Sequence, residues 1–374
     1  MPTALVDVFD NMCSFESLCD AYDNARKKKN YRLEIMAYTA NLEPNLFALQ
    51  RDLFAETYNV GEYRIFFIYD PKLRMVMAVC FRDRIVQWTV YETLYAFYDK
   101  TFIEDSYACR RGKGTHKAAD RLQYWLRQVD RKPEPWYYLK LDISKYFYRI
   151  SHEILLDILS RRVHDERLLR LLARIISSNG MHFGIPVGLD PGMCTEDMRL
   201  EDCGIPIGNL TSQLFANIYL NELDQYCKHA LKLHYYVRYM DDVIILSNDK
   251  AHLHDIKNRI ELFLTEHLQL NLNKKTTIRP ITCGVDFVGY QIWPGYRKLK
   301  KQSARRILRK ITWLCKQYVE GKVTEEDVIR RIASYNGILE HCNSFGLRQK
   351  IDAIFIEYTG NPAPWPIKKN KEKT

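Results

Sequence analysis

The sequence predicts an α+β fold, and three observations support that class. Segments rich in aromatic and β-branched residues, such as "WYYLKLD" and "VIILSN", predict strands, and segments with apolar residues at every third or fourth position predict helices. The two kinds of segment are mixed without the βαβ rhythm of a parallel α/β sheet. The length of 374 residues, with 47% hydrophobic and 27% charged side chains, is typical of a globular protein of two or three subdomains.

The net charge indicates what kind of partner the protein binds, and the cysteine pattern indicates in which compartment it is found. The 56 Lys and Arg exceed the 46 Asp and Glu, and a net charge of +10 favours a polyanionic partner, although many basic proteins bind no nucleic acid. The ten cysteines form no CxxC pair and no zinc spacing, and the chain opens without a signal-peptide pattern. No apolar run approaches the roughly 20 residues of a membrane span. We therefore expect a cytoplasmic protein with reduced thiols and no membrane segment.

The first part of the chain is predicted to be helical and then β-rich. The first 30 residues predict helices that end in the basic run "ARKKKN", which either covers a solvated helix face or contacts nucleic acid. From 61 to 90, the segments "EYRIFFIYD" and "RMVMAVCF" predict strands joined by the turn residues Asp70-Pro71-Lys72. This stretch predicts a projecting basic hairpin.

The middle of the chain alternates a strand, helices and turns. "WYYLKLDISKYF" predicts a strand, after which Ser151 can cap a helix, and a second apolar helix ends at Gly180. The apolar residues at helical spacing in the first of these helices are Ile154, Leu155, Ile158 and Leu159. "FGIPVG" and "CGIPIG" predict two similar turns on either side of an acidic loop, and helices at 211–231 and 251–267 flank the segment "YMDD".

The segment "YMDD" raises the question of why two acids interrupt a run of buried β-structure. Asp241 and Asp242 lie between the strand-like runs "YYVRYM" and "VIILSN", which predicts a hairpin with both carboxylates at a sheet edge, and the strand ending in Asp142 would add a third. Such acids repel one another and lose hydration, so a cation is expected to hold them ionised. Oxygen ligands suit Mg²⁺, and two ions about 4 Å apart can activate a 3′-hydroxyl and stabilise a leaving pyrophosphate. One Asp at a strand end is usually a turn or cap residue, but the combination predicts a metal site.

Six motifs in order resemble those of the reverse transcriptases, over roughly residues 60–295. "KLRMVMAVCFRDRIVQ" resembles the fingers motifs, "LDISKYF" the first palm motif, "GIPIGNLTSQLFANIYLNELD" the following palm motif, "YMDD" the metal hairpin, "LNLNKKT" the next motif and "FVGY" the primer-grip region. The resemblance implies a right-hand polymerase fold, with fingers, a palm built on an antiparallel sheet and a helical thumb. It also implies an RNA-directed DNA polymerase that uses two Mg²⁺ ions, or Mn²⁺ in their place. Its partners would be template RNA, the RNA/cDNA duplex and deoxynucleoside triphosphates.

The resemblance assigns roles to individual residues. Asp142 and Asp241 would be the principal metal ligands with Asp242 in support, and Ile143 would join the metal site. The substrate-binding positions that it implies are Lys72, Arg74, Arg82, Ile143, Phe147, Ile207, Gly208, Ser212, Gln213 and Lys275. The basic fingers residues of this set would clamp phosphate oxygens, unless their charges are only solvated on the hairpin. The ring of Phe147 would exclude a 2′-hydroxyl, although an isolated aromatic is more often a core residue.

One segment narrows the family. Where many reverse transcriptases carry a Gln-Gly pair, this chain reads "IGNLTSQ" from Ile207, and this segment and "DSYACRRGKGTH" resemble the reverse transcriptases of diversity-generating retroelements, within the group II intron-like and retron-like bacterial and phage enzymes. Replacing an amide by isoleucine removes hydrogen-bonding groups beside the nascent base pair, so discrimination should weaken. The resemblance implies copying of a template-repeat RNA with errors at adenines, for mutagenic retrohoming into a target gene. It also implies a small, basic, helical accessory variability protein, which could be oligomeric, as a partner.

The carboxy-terminal part predicts a thumb. In "SARRILRKITWLCKQYV", Ile307, Ile311, Leu314 and Tyr318 share one helical face, and the opposite face is basic, either to grip the duplex or simply to be solvated. We divide the chain into an N-terminal helical basic segment (1–30), fingers and palm (31–295), a thumb (296–365) and a basic tail (366–374) that is expected to be disordered.

Two other functions stay open at this point. A retron-like or antiviral-defence reverse transcriptase would share the same polymerase motifs. A catalytically inactive RNA-binding scaffold would share the fold, although the presence of Asp142, Asp241 and Asp242 argues against it.

Two residue assignments also stay open. Either Lys275 or its neighbour Lys274 could correspond to one lysine position of the family. The acidic loop with Glu196 could either dock the accessory protein or be a solvated loop.

Overall fold

The computed structural model describes residues 4–69 and 74–366. Within them the α-helices are α1 (Phe9–Met12), α2 (Phe15–Arg26), α3 (Leu33–Ala40), α4 (Leu42–Phe54), α5 (Phe81–Tyr98), α6 (Thr115–Asp130), α7 (His152–Ser160), α8 (Glu166–Ser177), α9 (Leu210–Gln225), α10 (Lys250–Leu268), α11 (Lys301–Val319), α12 (Glu325–Leu339) and α13 (Phe345–Thr359). The strands are β1 (Leu5–Val6), β2 (Arg64–Ile68), β3 (Arg74–Ala78), β4 (Tyr137–Asp142), β5 (Val163–His164), β6 (Tyr236–Tyr239), β7 (Asp242–Ser247), β8 (Thr277–Pro280), β9 (Val285–Phe287), β10 (Tyr290–Ile292) and β11 (Arg297–Leu299). This mixture confirms the predicted α+β class.

The strands form small sheets rather than one large one. β1 and β5 are a parallel pair, β2 and β3 are an antiparallel hairpin, β9, β10 and β11 form an antiparallel sheet, and the remaining sheet has the order β6-β7-β4-β8. In the hairpin, Arg64 is opposite Ala78 and Ile68 is opposite Arg74. The predicted hairpin is therefore confirmed, while its turn residues Asp70-Pro71-Lys72 lie outside the described residues.

The helix after the hairpin begins earlier than the sequence suggested. Phe81, which the β-rich pattern placed in the second strand, is the first residue of α5. Its backbone N–H donates to the Glu34 carboxylate at 2.5 Å, so an acid from α3 satisfies one of the free amides at the helix start. α5 is buried on most sides, which explains why its sequence lacks the polar face of a surface helix.

The chain divides into two units. The first contains Met1–Gly112, Leu141–Val243 and His254–Thr276, and in it α5 packs against α2 and α9. The second contains Lys113–Lys140, Ile244–Leu253 and Thr277–Thr374. In the described part of the chain, no helix combines the length and the apolar character that crossing a bilayer requires.

The second unit has its own apolar core, built on α11, α12 and α13. Ile307, Ile311 and Leu314 of α11 are buried, and Tyr318 packs against the same core, which confirms the predicted helical face. The other buried members of this core are Cys315, Val328, Ile332, Leu339, Ile351, Phe355 and Ala363. The opposite, basic face of α11 stays at the surface, where Arg305 and Arg309 are exposed.

Helices α7 and α8 agree with the sequence except at one end. Ser151 caps α7 by accepting the N–H of Ile154 at 3.4 Å, as predicted. Helix α8 ends at Ser177, and a 3₁₀ turn then runs to Gly180, so the prediction that Gly180 ends the helix was wrong by three residues. Ser178 leaves the α-helix in a left-handed conformation at φ 51°, and its hydroxyl donates to the Ile175 carbonyl at 3.1 Å.

The two "GIP" segments form the two turns that the sequence predicted. Both end in a glycine with positive φ, 86° at Gly188 and 118° at Gly208. The first glycines of the two segments pack against each other: a Cβ on Gly204 would lie 2.7 Å from the backbone nitrogen of Gly184. The acidic loop between the turns therefore begins and ends at the same place in the first unit.

Candidate active site

Three aspartates lie at the ends of neighbouring strands. Asp142 is the last residue of β4, Asp242 is the first residue of β7, and β4 and β7 are adjacent in their sheet. Asp241 lies in the tight turn between β6 and β7, as the sequence predicted. We call residues Met240–Asp242 the catalytic turn.

The carboxylates of the three aspartates are close enough to affect one another. Burial, together with repulsion from Asp242 and Asp142, raises the pKa of Asp241 to about 6, and the Arg74 guanidinium acts in the opposite direction. Three carboxylates therefore act on one another at this site, and Arg74 is the cation that lowers the pKa of Asp241. A hard cation would relieve the repulsion between them, and carboxylate oxygens are the type of ligand that Mg²⁺ and Mn²⁺ prefer.

The metal site itself remains a prediction. Among residues 4–69 and 74–366, no three His, Cys, Asp or Glu side chains are gathered closely enough to hold an ion. Ile143, which the resemblance added to the site, is 2% exposed and forms a β-bridge with Leu272. The carbonyl of Asp142 accepts the N–H of Asn273 at 2.7 Å, so the segment "LNLNKKT" holds the backbone at the end of β4.

Sequence reasoning missed the residues that support the catalytic turn. Met240 has a left-handed backbone, with φ 54°, and its carbonyl accepts a hydrogen bond from Arg238 at 3.1 Å. Arg238 is completely buried, and so is Asp224 of α9, to which it donates two hydrogen bonds, at 2.7 and 2.6 Å. An arginine inside the otherwise apolar run "YYVRYM" was the signal, because a buried charge requires a partner elsewhere in the chain.

The segment "IGNLTSQ" lies between the hairpin and α5. The carbonyl of Ile207 accepts the N–H of Met77 at 3.0 Å, and a Cβ on Gly208 would lie 2.8 Å from a methyl group of Val76, so only glycine fits this approach to β3. The N–H of Leu210 donates to the Gln87 side chain at 3.3 Å. The side chain of Ile207 is half-buried, Ser212 is buried and Gln213 is exposed.

The sugar-gate candidate is partly exposed. Phe147 lies in the 3₁₀ turn Tyr146–Tyr148, just after β4, and its carbonyl accepts the N–H of Ile205 at 2.8 Å. Its half-buried ring touches Tyr146 edge-on, with ring centroids 5.6 Å apart. A ring that is only half-buried keeps a face for a sugar, which a fully packed core residue would lack.

The basic fingers residues have different surroundings. Arg74, the first residue of β3, is exposed and lies near Asp241. Arg82 instead donates to Asp52 of α4 at 2.6 Å and stacks on Tyr58, so the structure gives it an intramolecular partner rather than an open phosphate-binding position. Lys72 lies outside the described residues. Lys275 and Lys274 are both exposed.

A second candidate surface is a groove of about 650 Å³ in the first unit. We call it the basic groove, and its cationic and aromatic lining residues are Lys27, Lys28, Lys29, Arg32, Arg84, Phe66 and Trp88. Burial, Arg84 and Arg32 lower the pKa of Lys29, which shows that cations are crowded here. Within the described part of the chain, no carboxylate lies within 4 Å of the side-chain nitrogens of Lys27, Lys28, Lys29 or Arg32. The groove therefore presents unneutralised positive charge beside aromatic rings.

The chain is similar to known proteins across most of its middle part. The family model described as reverse transcriptase (RNA-dependent DNA polymerase) matches residues 70–292. Protein YkfC of Escherichia coli is 26% identical over 281 residues, which are 65% of this chain and 70% of that protein. The group II intron-encoded protein LtrA of Lactococcus lactis is 22% identical over 286 residues, and this chain spans 44% of its length. The solved structure of apo telomerase from Candida tropicalis aligns with a TM-score of 0.47 at 13% identity, over 79% of this chain and 57% of that one.

Proposed function

Because the chain belongs to the reverse transcriptase (RNA-dependent DNA polymerase) family, we propose that it copies a template-repeat RNA into cDNA with low fidelity, as in a diversity-generating retroelement. Family membership carries the right-hand polymerase fold and the polymerase reaction. The finer proposal rests on one observation, the segment "IGNLTSQ" held between β3 and α5. The proposed setting is the cytoplasm of a bacterium, with the gene carried by the cell or by a phage.

The three aspartates would supply the metal site of the polymerase reaction. Asp142 and Asp241 would hold the divalent ions with support from Asp242, and the bound ions would activate the primer 3′-hydroxyl and stabilise the leaving pyrophosphate. Arg74 is the described fingers residue with an open guanidinium near Asp241, so it would bind the phosphates of the incoming nucleotide. Phe147 would face the sugar of that nucleotide.

Low fidelity would follow from the apolar side chain at position 207. The backbone of Ile207 is fixed to β3 by its hydrogen bond with Met77, so the side chain has a defined origin and little freedom to move away from the nascent base pair. An isoleucine there makes only non-directional van der Waals contact, whereas the hydrogen bonds of an amide would stabilise one base-pair geometry over the others. A misaligned pair would therefore lose little free energy relative to a correct one.

Template RNA would use the basic groove. Unpaired RNA is bound through its phosphates by lysine and arginine and through its bases by stacking on aromatic rings, and the groove offers both kinds of group. In the run "ARKKKN", Arg26 pairs with Asp23 at 2.8 Å, but within the described residues no carboxylate lies within 4 Å of the side-chain nitrogens of Lys27, Lys28 or Lys29, which favours nucleic-acid contact by these three lysines over a merely solvated face.

The accessory partner would dock on the acidic loop between the two "GIP" turns. Glu196, Asp197, Glu201 and Asp202 of this loop are exposed, and so is Met193, which is 74% exposed. Acidic and apolar groups together would suit a small, basic, helical protein. Reversing charge with Glu196→Lys and Asp197→Lys should weaken its binding, whereas Asp255→Lys with Glu266→Lys on α10 should not. Equal binding by both variants would reject the loop as the docking site.

The test of the proposed function is to copy an adenine-rich RNA with Mg²⁺ and all four deoxynucleotides and to sequence the cDNA. Errors concentrated at template adenines would support mutagenic synthesis. A low and uniform error rate would refute it and would favour the second candidate, faithful cDNA synthesis of the intron type, which the similarity to LtrA supports. An imperfect repeat pair differing at adenines in the flanking DNA would be an independent test. No extension by the wild-type protein would revive the reading of the chain as an inactive scaffold.

A further inference from the structure

A buried polar network lies directly beneath the catalytic turn. Arg238 lies in β6, between Val237 and Tyr239, and its guanidinium donates to three groups, one of which is the side-chain oxygen of Asn217, which accepts from Nη1 at 3.4 Å. Nε and Nη2 donate to the two oxygens of Asp224, and Nη1 donates to the carbonyl of Met240. One rigid, planar group thus connects the helix α9 to the residue that precedes Asp241.

Helix α9 and the segment "DSYACRR" complete the network. The hydroxyl of Tyr236 donates to Asp224 at 2.6 Å. Asn217, which also belongs to α9, donates from its side-chain amide to the carbonyl of Ala108 at 2.7 Å. The backbone of Arg238 is bonded through both of its polar groups to the segment Asp105–Tyr107: its N–H donates to the Asp105 carbonyl at 2.9 Å, and its carbonyl accepts the N–H of Tyr107 at 3.0 Å. The strand position of Arg238 is therefore fixed independently of its side chain.

The network is better explained by geometry than by stability. Arg238 and Asp224 are both 0% exposed, and a buried ion pair usually contributes little net stability compared with apolar residues of similar size, because both charges lose their hydration. The left-handed conformation of Met240 is unfavourable for a residue with a side chain, by roughly 1 kcal/mol. A hydrogen bond to the Met240 carbonyl stabilises that conformation, and the direction of the next residue, Asp241, depends on it.

We propose that Arg238 is a positioning residue of the polymerase reaction. Its guanidinium, oriented by Asp224, holds the Met240 carbonyl and thereby fixes the direction of the Asp241 carboxylate. The same helix begins at the segment "IGNLTSQ", so α9 connects the contact with β3 to the catalytic turn within the first unit. This inference rests on the polymerase activity of the proposed function but not on its fidelity.

Arg238→Lys is the first test, because it keeps a buried cation for Asp224 but removes the fork that also reaches Met240. We expect the rate constant of nucleotide addition at saturating deoxynucleotide to fall about 100-fold, the loss typical of a misplacement near 1 Å. The dissociation constant for primer–template should stay within about twofold, since no residue of the binding surface changes. A variant that folds and keeps the wild-type rate constant would overturn the proposal.

An apolar replacement of the whole network separates positioning from folding. In the triple variant Tyr236→Phe, Arg238→Met and Asp224→Leu, no buried charge is left without a partner, so the melting temperature should be close to that of the wild type while the rate constant falls as in Arg238→Lys. The matched control, Arg161→Met with Glu222→Leu, removes a 3.2 Å ion pair that also involves α9 but includes none of the hydrogen bonds of Arg238 or Asp224, and it should keep the wild-type rate constant. An active triple variant would show that the network only stabilises the fold.

Hydrogen–deuterium exchange provides a readout that does not depend on activity. The backbone amides of residues 240–243 should exchange faster in Arg238→Lys than in the wild type, while those of α10 should not change. Unchanged exchange at the turn would overturn the proposal even if activity fell. Conversely, the wild-type protein could lack polymerase activity while Arg238→Lys still exchanges faster at residues 240–243. That result would refute the proposed function but not the role of Arg238 in fixing the turn.

Discussion

Two groups of positive charge in the first unit differ in what surrounds them. Beneath the catalytic turn, Arg238 is completely buried and every nitrogen of its guanidinium has a partner in the chain. In the basic groove, Lys27 and Lys28 are exposed, and no carboxylate of the described residues lies within 4 Å of them. The first charge is satisfied by the protein itself, and the second is left for a ligand.

The difference indicates that the two regions have different roles, one in fixing the geometry of the catalytic turn and the other in attracting nucleic acid. A buried charge is tolerated only with a complete set of partners, and those partners fix its geometry, which is the requirement of a residue that positions a catalytic side chain. Exposed and mutually repelling lysines fix nothing, but they attract phosphates of any sequence at long range. We therefore expect changes near the turn to act on the rate of nucleotide addition and changes in the groove to act on template affinity.

The largest effect is expected for Asp241→Asn. Loss of this carboxylate would remove a ligand of the proposed metal site, and such a ligand is worth several kcal/mol of transition-state stabilisation, so primer extension should fall by more than about 1000-fold. The melting temperature should be unchanged or slightly higher, because repulsion from Asp142 and Asp242 is relieved. Filter binding should show template RNA affinity close to the wild type. Asp255→Asn, an exposed acid of α10, is the matched control, and substantial extension by Asp241→Asn would reject the metal site.

Phe147→Ala is expected to change the choice of sugar rather than the rate with deoxynucleotides. Removing the half-buried ring opens space for a 2′-hydroxyl, and steric exclusion of one such group is worth roughly 1 to 3 kcal/mol. Discrimination between dATP and ATP, measured by single-nucleotide incorporation, should therefore fall by about 10- to 100-fold. Tyr148→Phe, in the same turn, should keep the wild-type discrimination. Unchanged selection by Phe147→Ala would show that another residue excludes ribonucleotides.

The sequence predicted the elements of the active site better than their support. The strand ending in Asp142, the hairpin with Asp241 and the cap at Ser151 follow from local patterns, since apolar alternation, turn residues and caps act within a few positions. Arg82 shows the limit of such patterns. Its place in a basic motif indicated phosphate binding, but its partner Asp52 is 30 residues away in the chain, and no local pattern contains that pairing.

The same limit explains why the network under the turn was missed. Asp224 is one acid in the helix α9, and Arg238 is one arginine in a strand, so neither residue is unusual alone. Their side chains meet only in the folded chain, where both are 0% exposed, and the loss of hydration makes their pairing obligatory. The boundary of α5 was missed for a related reason, because Glu34, which binds the first amide of that helix, comes from α3.

Changes in the basic groove should lower template affinity and leave the rate of nucleotide addition unchanged, which is the opposite of what is expected for Asp241→Asn. Lys27→Gln with Lys28→Gln should weaken binding of a primer–template with an unpaired 5′ template extension roughly tenfold and reduce the salt dependence by about 1.4, or 0.7 for each lost phosphate contact. Binding of the blunt duplex should change less, and the rate constant at saturating template should be unchanged. Lys232→Gln with Lys250→Gln removes the same charge elsewhere and should have little effect. Equal loss in the two pairs would mean that only net charge matters.

The smallest effect is expected for Ile207→Gln, at the residue that precedes the groove-lining segment Gly208–Leu210. The Ile207 carbonyl is held by Met77 and the next residue packs on Val76, so the new side chain would start from the same backbone position. A glutamine amide could then hold the nascent base pair through hydrogen bonds, and one such bond to a partly buried group is worth about 1 kcal/mol, or somewhat less than tenfold in selectivity. Misincorporation should therefore fall by several-fold, most visibly opposite template adenine, with correct synthesis retained.

The measurement is to copy one adenine-rich RNA with the wild type and with Ile207→Gln and to sequence the cDNA, with Ile207→Leu as the apolar control. If the glutamine and leucine variants have the same adenine error spectrum as the wild type, infidelity originates elsewhere, with Arg74 and the hairpin as the next candidates, and Ile207 is only a packing residue between β3 and α9.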